Sequence, residues 1–241
     1  MQPTTDAVTQ LKTVWINFAG LGCLVLSLSA CVTAAPTPRA AFGGMPGHVS
    51  AGKLEFGGNV TLLPPVAGTL GPNLSFALDD RWQLDLGGSF GEMAMGYAGA
   101  NWHRRKPLGE NSHIVLELDL GLGAGTGGRC DQSGDSPHCA EKYEQLSWDE
   151  RPAVGGYAGA GVGFQIRWFS VFARIRDELV DAKGIPTSNW LGGVVGVGFD
   201  FGQAVHFYVA GGRGKLFNRL YETGFPVLEV GLAFRYDPFQ R

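Results

Sequence analysis

After its first thirty residues the sequence has no long apolar run, so a helix crossing a membrane is excluded beyond the leader. Neither sign of charge prevails: 19 Lys and Arg stand against 22 Asp and Glu, a net of −3, which excludes the basic footprint of a nucleic-acid-binding protein. Cysteine is scarce. Of four, Cys23 falls inside the leader, and Cys31, Cys130 and Cys139 lie at or beyond its end. Catalytic signatures are missing as well. There is no G-x-S-x-G elbow and no H-E-x-x-H pair. The glycine-rich stretches 123–128 and 211–215 lack P-loop spacing, and Leu216 follows Lys215 where a Ser or Thr is needed. Cys130, His138 and Cys139 are too few ligands for a structural zinc site. No catalytic, cofactor or metal residue is therefore expected.

What the sequence does have is glycine, 38 residues, far above the average usage of about 7%. The glycines do not fall at every third position, which excludes a collagen repeat. They interleave with aliphatic and aromatic residues at period two, the spacing of β-structure with close backbone approaches. Ten segments alternate in this way. Strand 1 covers 49–62, strand 2 covers 72–79, strand 3 carries Trp82, Leu84, Leu86 and Phe90, and strand 4 covers 93–102. Strand 5 is the clearest, with Ile114, Leu116, Leu118, Leu120 and Leu122 alternating against Val115, Glu117 and Asp119. Strands 6 to 8 cover 153–167, 170–177 and 190–201; strand 9 carries Val205, Phe207 and Val209, and strand 10 covers 227–236. The spacing predicts a closed antiparallel up-and-down barrel of ten strands, with eight as the alternative. Long connections are expected at 126–151, 178–189 and 212–226, all on one side, with 103–112 an unexplained long link on the other.

One face of each segment is nearly free of charge, and the other gathers acids and bases. Period alone does not separate a lipid-facing barrel from a soluble one. The aromatics Trp82, Trp102, Trp168, Trp190, Tyr236 and Phe239 near strand ends decide it, as an interfacial girdle. The expected lumen then holds Lys53, Arg167, Arg174, Arg176 and Arg235 with Glu55, Asp85, Glu117, Asp119, Asp200 and Glu229. Five bases against six acids favour a closed, ion-paired interior over a charge-lined pore, because an unpaired buried charge is costly.

The leader has a polar start, an uncharged apolar core from Val14 to Ala30 and small residues at its end, the layout of a secretory signal peptide. Leu28-Ser29-Ala30-Cys31 resembles the lipobox of bacterial lipoproteins. That resemblance implies cleavage before Cys31, acylation of its sulfur and, with Val32 following, sorting to the outer membrane. The alternative is an ordinary signal peptide cut near Ala34-Ala35. Residues 31–47, rich in proline and small residues, are expected to be a lipid-anchored tether ahead of a barrel domain from 48 to 241. The end of the chain, Phe234 to Phe239, resembles the closing strand of outer-membrane proteins, although Gln240 and Arg241 follow it. The resemblances imply outer-membrane lipid, the barrel-assembly machinery and the lipoprotein-sorting machinery as partners.

In an oxidising envelope Cys130 and Cys139 are spaced to close a small disulfide loop. Tyr143 and Trp148 in the acidic 126–151 segment, and Phe217 and Tyr221 in the basic 212–226 segment, are candidate contact residues for a surface partner. Three function classes follow. The first is a non-enzymatic barrel lipoprotein acting as scaffold or surface-binding part of an envelope assembly for adhesion, motility or export. The others are a small pore and a soluble lipid-anchored β-domain.

Overall fold

The computed structural model describes residues 39, 41–47, 49–63, 67–91, 94–126, 152–182, 185–202, 204–219 and 222–237. Ten strands follow one another in chain order: β1 (Leu54–Leu63), β2 (Ala67–Ala77), β3 (Trp82–Gly91), β4 (Ala94–Gly109), β5 (Ser112–Thr126), β6 (Pro152–Ile166), β7 (Phe169–Ala182), β8 (Ile185–Phe201), β9 (Val205–Phe217) and β10 (Glu222–Tyr236). Every strand pairs antiparallel with its neighbours in sequence, and β1 pairs with β10 to close the sheet. The seam is in full register from Leu54↔Tyr236 to Leu62↔Leu228. Partners followed once round from Leu54, through Phe76, Leu84, Ala100, Leu120 and Ala158 to Gly224, return past the far end of β1. The strands are therefore steeply tilted, as closure of such a sheet requires.

Side-chain direction explains why this sequence closes. On β5, Leu116, Leu118, Leu120 and Leu122 point outward and are half to three-quarters exposed, while Val115, Glu117 and Asp119 are buried inside. Val171 and Ile175 on β7, and Leu228, Leu232 and Phe234 on β10, do the same opposite Arg174, Arg176 and Glu229. A water-soluble barrel has the reverse arrangement. An apolar outer belt over a charged interior suits hydrocarbon, where only a sheet without edges satisfies its backbone groups.

The two ends differ. At the near end, β1 begins, β10 ends and the turns are tight. Asp79 Oδ1 accepts from the Arg81 and Trp82 amides at 2.7 Å each, and Arg167 and Trp168 form the β6–β7 turn. Neighbouring turns are tied together: Arg167 N donates to Asn111 O and Asp200 N to Trp168 O, both at 2.8 Å. The far end carries the 127–151 connection, which lies outside the described residues.

Several expectations are corrected. The links at 103–112, 178–189 and 212–226 are mostly strand: β4 runs to Gly109, β7 to Ala182, β8 starts at Ile185, and β9 and β10 come within a few residues of each other. These ends reach past the apolar belt, where outward side chains such as Arg104 and Lys106 no longer need to be apolar. Trp190 does not join a girdle; it is 4% exposed inside the barrel, edge-on to Phe225 at 5.5 Å. Its position has the opposite parity to Val195 and Phe201, so it faces inward. Trp82 and Trp102 are direct partners at the near end, and Trp168 and Tyr236 are exposed there too. Phe239 lies outside the described residues.

A charge on the outer belt has a clear expected effect. Leu120→Arg, at the middle of the β5 leucine row, should cost about 2–4 kcal/mol of folding free energy in bilayers, read from denaturant titrations, against near neutrality for Leu120→Ile. The Asp79 carboxyl is held below the usual carboxylate range, first by its backbone hydrogen bonds to Arg81 and Trp82. Its folded value being depressed, its contribution is full above the ordinary aspartate value and is lost as pH falls through the lower folded one. The stability gap between the wild type and Asp79→Ala should therefore shrink on acidification through that window.

Candidate functional site

The residues that alternate inward converge on a bore that is already occupied. The second half of the expected tether, at 39 and 41–47, does not trail outside the barrel: Arg39, Ala41, Phe42, Met45 and Val49 are all buried within it. Gly43 and Gly47 have φ of 86° and 56°, left-handed values that let the segment turn its amides towards the walls.

The walls bind this plug through its backbone. Glu229, 0% exposed, accepts from the Phe42 amide at 2.7 Å and the Gly43 amide at 2.9 Å, and its third donor is the Tyr208 hydroxyl. Arg176 donates to the carbonyls of Arg39 (3.2 Å), Ala41 (2.6 Å) and Phe42 (3.1 Å), with Asp119 at 3.2 Å as its counter-ion. Arg174 pairs with Glu117 and also donates to Gly44 O at 3.3 Å. The Glu117 carboxylate accepts from the Gly47 amide at 2.8 Å, and Arg105 donates to the carbonyls of Gly47 and Val49. The plug returns a charge of its own. The Arg39 guanidinium lies 3.2 Å from Asp85 and 3.7 Å from Asp119, over the rings of Tyr97 and Tyr157 at 5.0 and 5.6 Å. Gln83 and Asn101 fix Asp85 from the wall at 2.8 and 2.7 Å.

Of the eleven lumen charges expected from sequence, Glu55, Asp85, Glu117, Asp119, Arg174, Arg176, Asp200, Glu229 and Arg235 face the interior. Arg235 joins Glu55 (3.1 Å) to Asp200 (2.7 Å) near the lower rim. Two are placed elsewhere. Arg167 sits exposed in the β6–β7 turn with φ of 52°, because β6 ends at Ile166. Lys53 precedes β1, half-buried at the rim, with its amide donating to Ser50 O at 3.0 Å. Phe217 is the last residue of β9, near Lys215, rather than part of a loop. Cys31, Cys130, Cys139, Tyr143, Trp148 and Tyr221 lie outside the described residues.

Arg39 and Glu178 are the main functional residues that sequence pattern missed. Glu178 accepts from the Arg39 amide at 3.2 Å and lies 3.7 Å from Arg176. It shares the parity of Arg174 and Arg176, so continuing the β7 alternation past 177 was the signal for it. Arg39 had none, because a proline-flanked arginine before the first strand reads as solvated.

Catalysis fits the bore poorly. His206 Nδ1 lies 3.0 Å from Asp200, and Ser170 and His206 both flank Gly198. Asp200, however, is shared with Arg235 and Gln165, and the plug passes so close that a Cβ on Gly44 would lie 2.6 Å from His206 Nε2. Among the described residues no cluster of His, Cys, Asp and Glu is suited to a metal. A polar cavity of about 30 Å³ beside Asn59, Asn73 and Gln83 is large enough for water and little else.

No protein-family model matches the sequence, and no curated protein matches it. Among solved structures, the N-terminal β-barrel domain of Pseudomonas aeruginosa OprF is similar over 78% of this chain and 100% of that one, at 10% identity and a TM-score of 0.28. The outer-membrane protease OmpT of Escherichia coli covers 82% of this chain and 98% of its own, at 8% identity and 0.31. The outer-membrane protein OprG of P. aeruginosa covers 80% and 99%, at 13% and 0.26. At such values the likenesses carry no function across, and the barrel assignment stands on the chain's own closed ladder.

Glu229→Ala strands two plug amides and a tyrosine hydroxyl in a buried site, with an expected cost of about 2–4 kcal/mol. Limited proteolysis should then cut the 39–47 segment faster than in the wild type, while Glu222→Ala at the exposed Lys215 pair should leave the rate unchanged.

Proposed function

We propose that this chain is a non-enzymatic outer-membrane barrel whose bore is sealed by its own N-terminal segment. It serves as a membrane-fixed scaffold that presents far-end loops to a partner in the cell envelope. The observation that carries the reading is the saturation of the plug by wall charges. Arg176, Arg174, Glu117 and Glu229 are all spent on plug backbone and on one another, which supports a closed interior rather than a conducting one. The leucine belt favours lipid over periplasmic solvent.

In this reading the near end, with both barrel termini and the tight turns, faces the periplasm, and the 127–151 connection faces outward. Tyr143 and Trp148 are then candidate anchors for an envelope or surface protein complex, within a loop stapled by Cys130 and Cys139. Cys31 carries the lipid, and barrel assembly and lipoprotein sorting both act on the chain before it reaches its place. Adhesion, motility and export assemblies are the settings such a scaffold fits.

Two measurements test the proposal. Outer membranes run on a gel without boiling should show this protein at a different mobility from the boiled sample; identical migration contradicts a closed membrane barrel. Purified protein in planar bilayers should give no steady conductance. An ohmic channel at wild-type sequence contradicts the sealed bore and favours the pore.

A further inference from the structure

The plug carries a cation into a place that the wall has prepared for one. Two adjacent rows of the ladder supply that place. Across β6, β5, β4 and β3 the first row reads Tyr157, Gly121, Gly99 and Asp85. The second, across β5, β4 and β3, reads Asp119, Asn101 and Gln83. A Cβ on Gly121 or Gly99 would run into the Tyr157 ring or its hydroxyl. Tyr157 therefore lies along its row towards Asp85 instead of standing out into the bore. Tyr97 does the same over Gly87, its partner on β3, where a Cβ would lie 2.5 Å from the ring. The two tyrosines meet edge to face with centroids 6.2 Å apart. The outcome is a buried cage of two rings, two carboxylates and two amides, with the Arg39 guanidinium over both rings.

The wall alone does not balance the charge of this cage. Asp119 is shared with Arg176 at 3.2 Å, whereas Asp85 takes its ion pair from Arg39. With no cation there, Asp85 is a buried charge held by neutral groups, which is a costly state.

Arg39 does not exhaust the cage. Gln83 and Asn101 each spend their amide nitrogen on Asp85. Their oxygens, Gln83 Oε1 and Asn101 Oδ1, have no hydrogen-bond partner among the described residues, although the side chains are only 4% and 2% exposed. Arg39 Nε has none either. Both amides and Arg39 line the same polar cavity. The cage thus offers acceptors that a free cation with its own N–H groups can reach and a tethered arginine does not.

We propose that Asp85, Asp119, Tyr97 and Tyr157 form an organic-cation site, with Arg39 as its built-in occupant and guanidinium or primary ammonium compounds as its ligand class. The inference rests on the closed bore and not on the scaffold role. Arg39 fills the site in the closed barrel, and a cation of the same class takes it when the arginine is withdrawn.

The test removes the occupant from the full-length protein. In Arg39→Ala the atoms lost beyond Cβ are those of ethylguanidinium. That ion is the probe, titrated calorimetrically into the folded protein in detergent at fixed ionic strength. One saturable site is expected in the variant and none in the wild type. Ethylurea, neutral and of the same shape, should bind about tenfold more weakly, and adding Asp85→Asn should weaken ethylguanidinium by a similar factor. No saturable binding to the variant, equal binding to the wild type, or equal binding of ethylurea overturns the proposal and leaves Arg39 and Asp85 a structural ion pair. The gel shift reports separately on folding. If Arg39→Ala gives no shifted band, refolding with the probe is the readout. Recovery of the band with ethylguanidinium and not with ethylurea is expected; no recovery overturns the proposal. A wild type that itself shows no shift rejects the barrel, and the site with it.

Discussion

The seam between β1 and β10 is the constraint on which the rest of the molecule depends. A sheet facing hydrocarbon has no water to satisfy a free edge, so the first and last strands must find each other across the whole length of the chain. Their register from Leu54↔Tyr236 to Leu62↔Leu228 brings Glu55 beside Arg235 on the inner face and Phe56 beside Phe234 on the outer. Closure thus sets both the apolar exterior and the interior charges in a single step. An even number of strands also leaves both termini of the barrel at the same end.

A closed barrel of this size creates a second problem, since it gathers several carboxylates and guanidinium groups into a narrow space. Direct pairing along the wall answers part of it, as between Arg176 and Asp119, which meet over Gly159 of the strand between them. The remainder is answered by polypeptide. Backbone amides and carbonyls of the 39–49 segment supply donors to Glu117 and Glu229 and acceptors to Arg174 and Arg176, and Arg39 balances Asp85. Charged walls, not apolar contact alone, hold the plug, and the plug keeps those walls from being buried without partners.

The fold was legible in the sequence wherever lipid imposes alternation. The leucine row of β5, the arginine pair of β7 and the closing strand could be read directly, because one face had to be apolar and the other had room for charge. Legibility stopped where that pressure stops. β7 and β8 continue beyond the belt through Asp181 and Thr187, and β4 through Arg104 and Lys106, so polar outward residues made strand look like loop. The wall charges were readable by parity, apart from Lys53, which precedes β1 at the rim, and Arg167, which a turn one residue earlier than expected moved to the surface. The plug was not readable. Proline, glycine and alanine describe a tether equally well, and only the complementary groups on distant strands turn such a segment into core.

The contacts of the plug also tie its seating to closure of the seam. Phe42 bonds to Glu229 across 187 residues of sequence, with nine complete strands lying between them. The plug is continuous with β1, and the strand that seals β1 is the last one made. Seating the plug and sealing the wall are therefore coupled, because the strand that closes the seam is also the one that holds Phe42 and Gly43. Forming the seam then amounts to a check on the interior. If the N-terminal segment is out of place, Glu117, Glu229, Arg174 and Arg176 meet no backbone, and the final pairing has to proceed against their unrelieved burial.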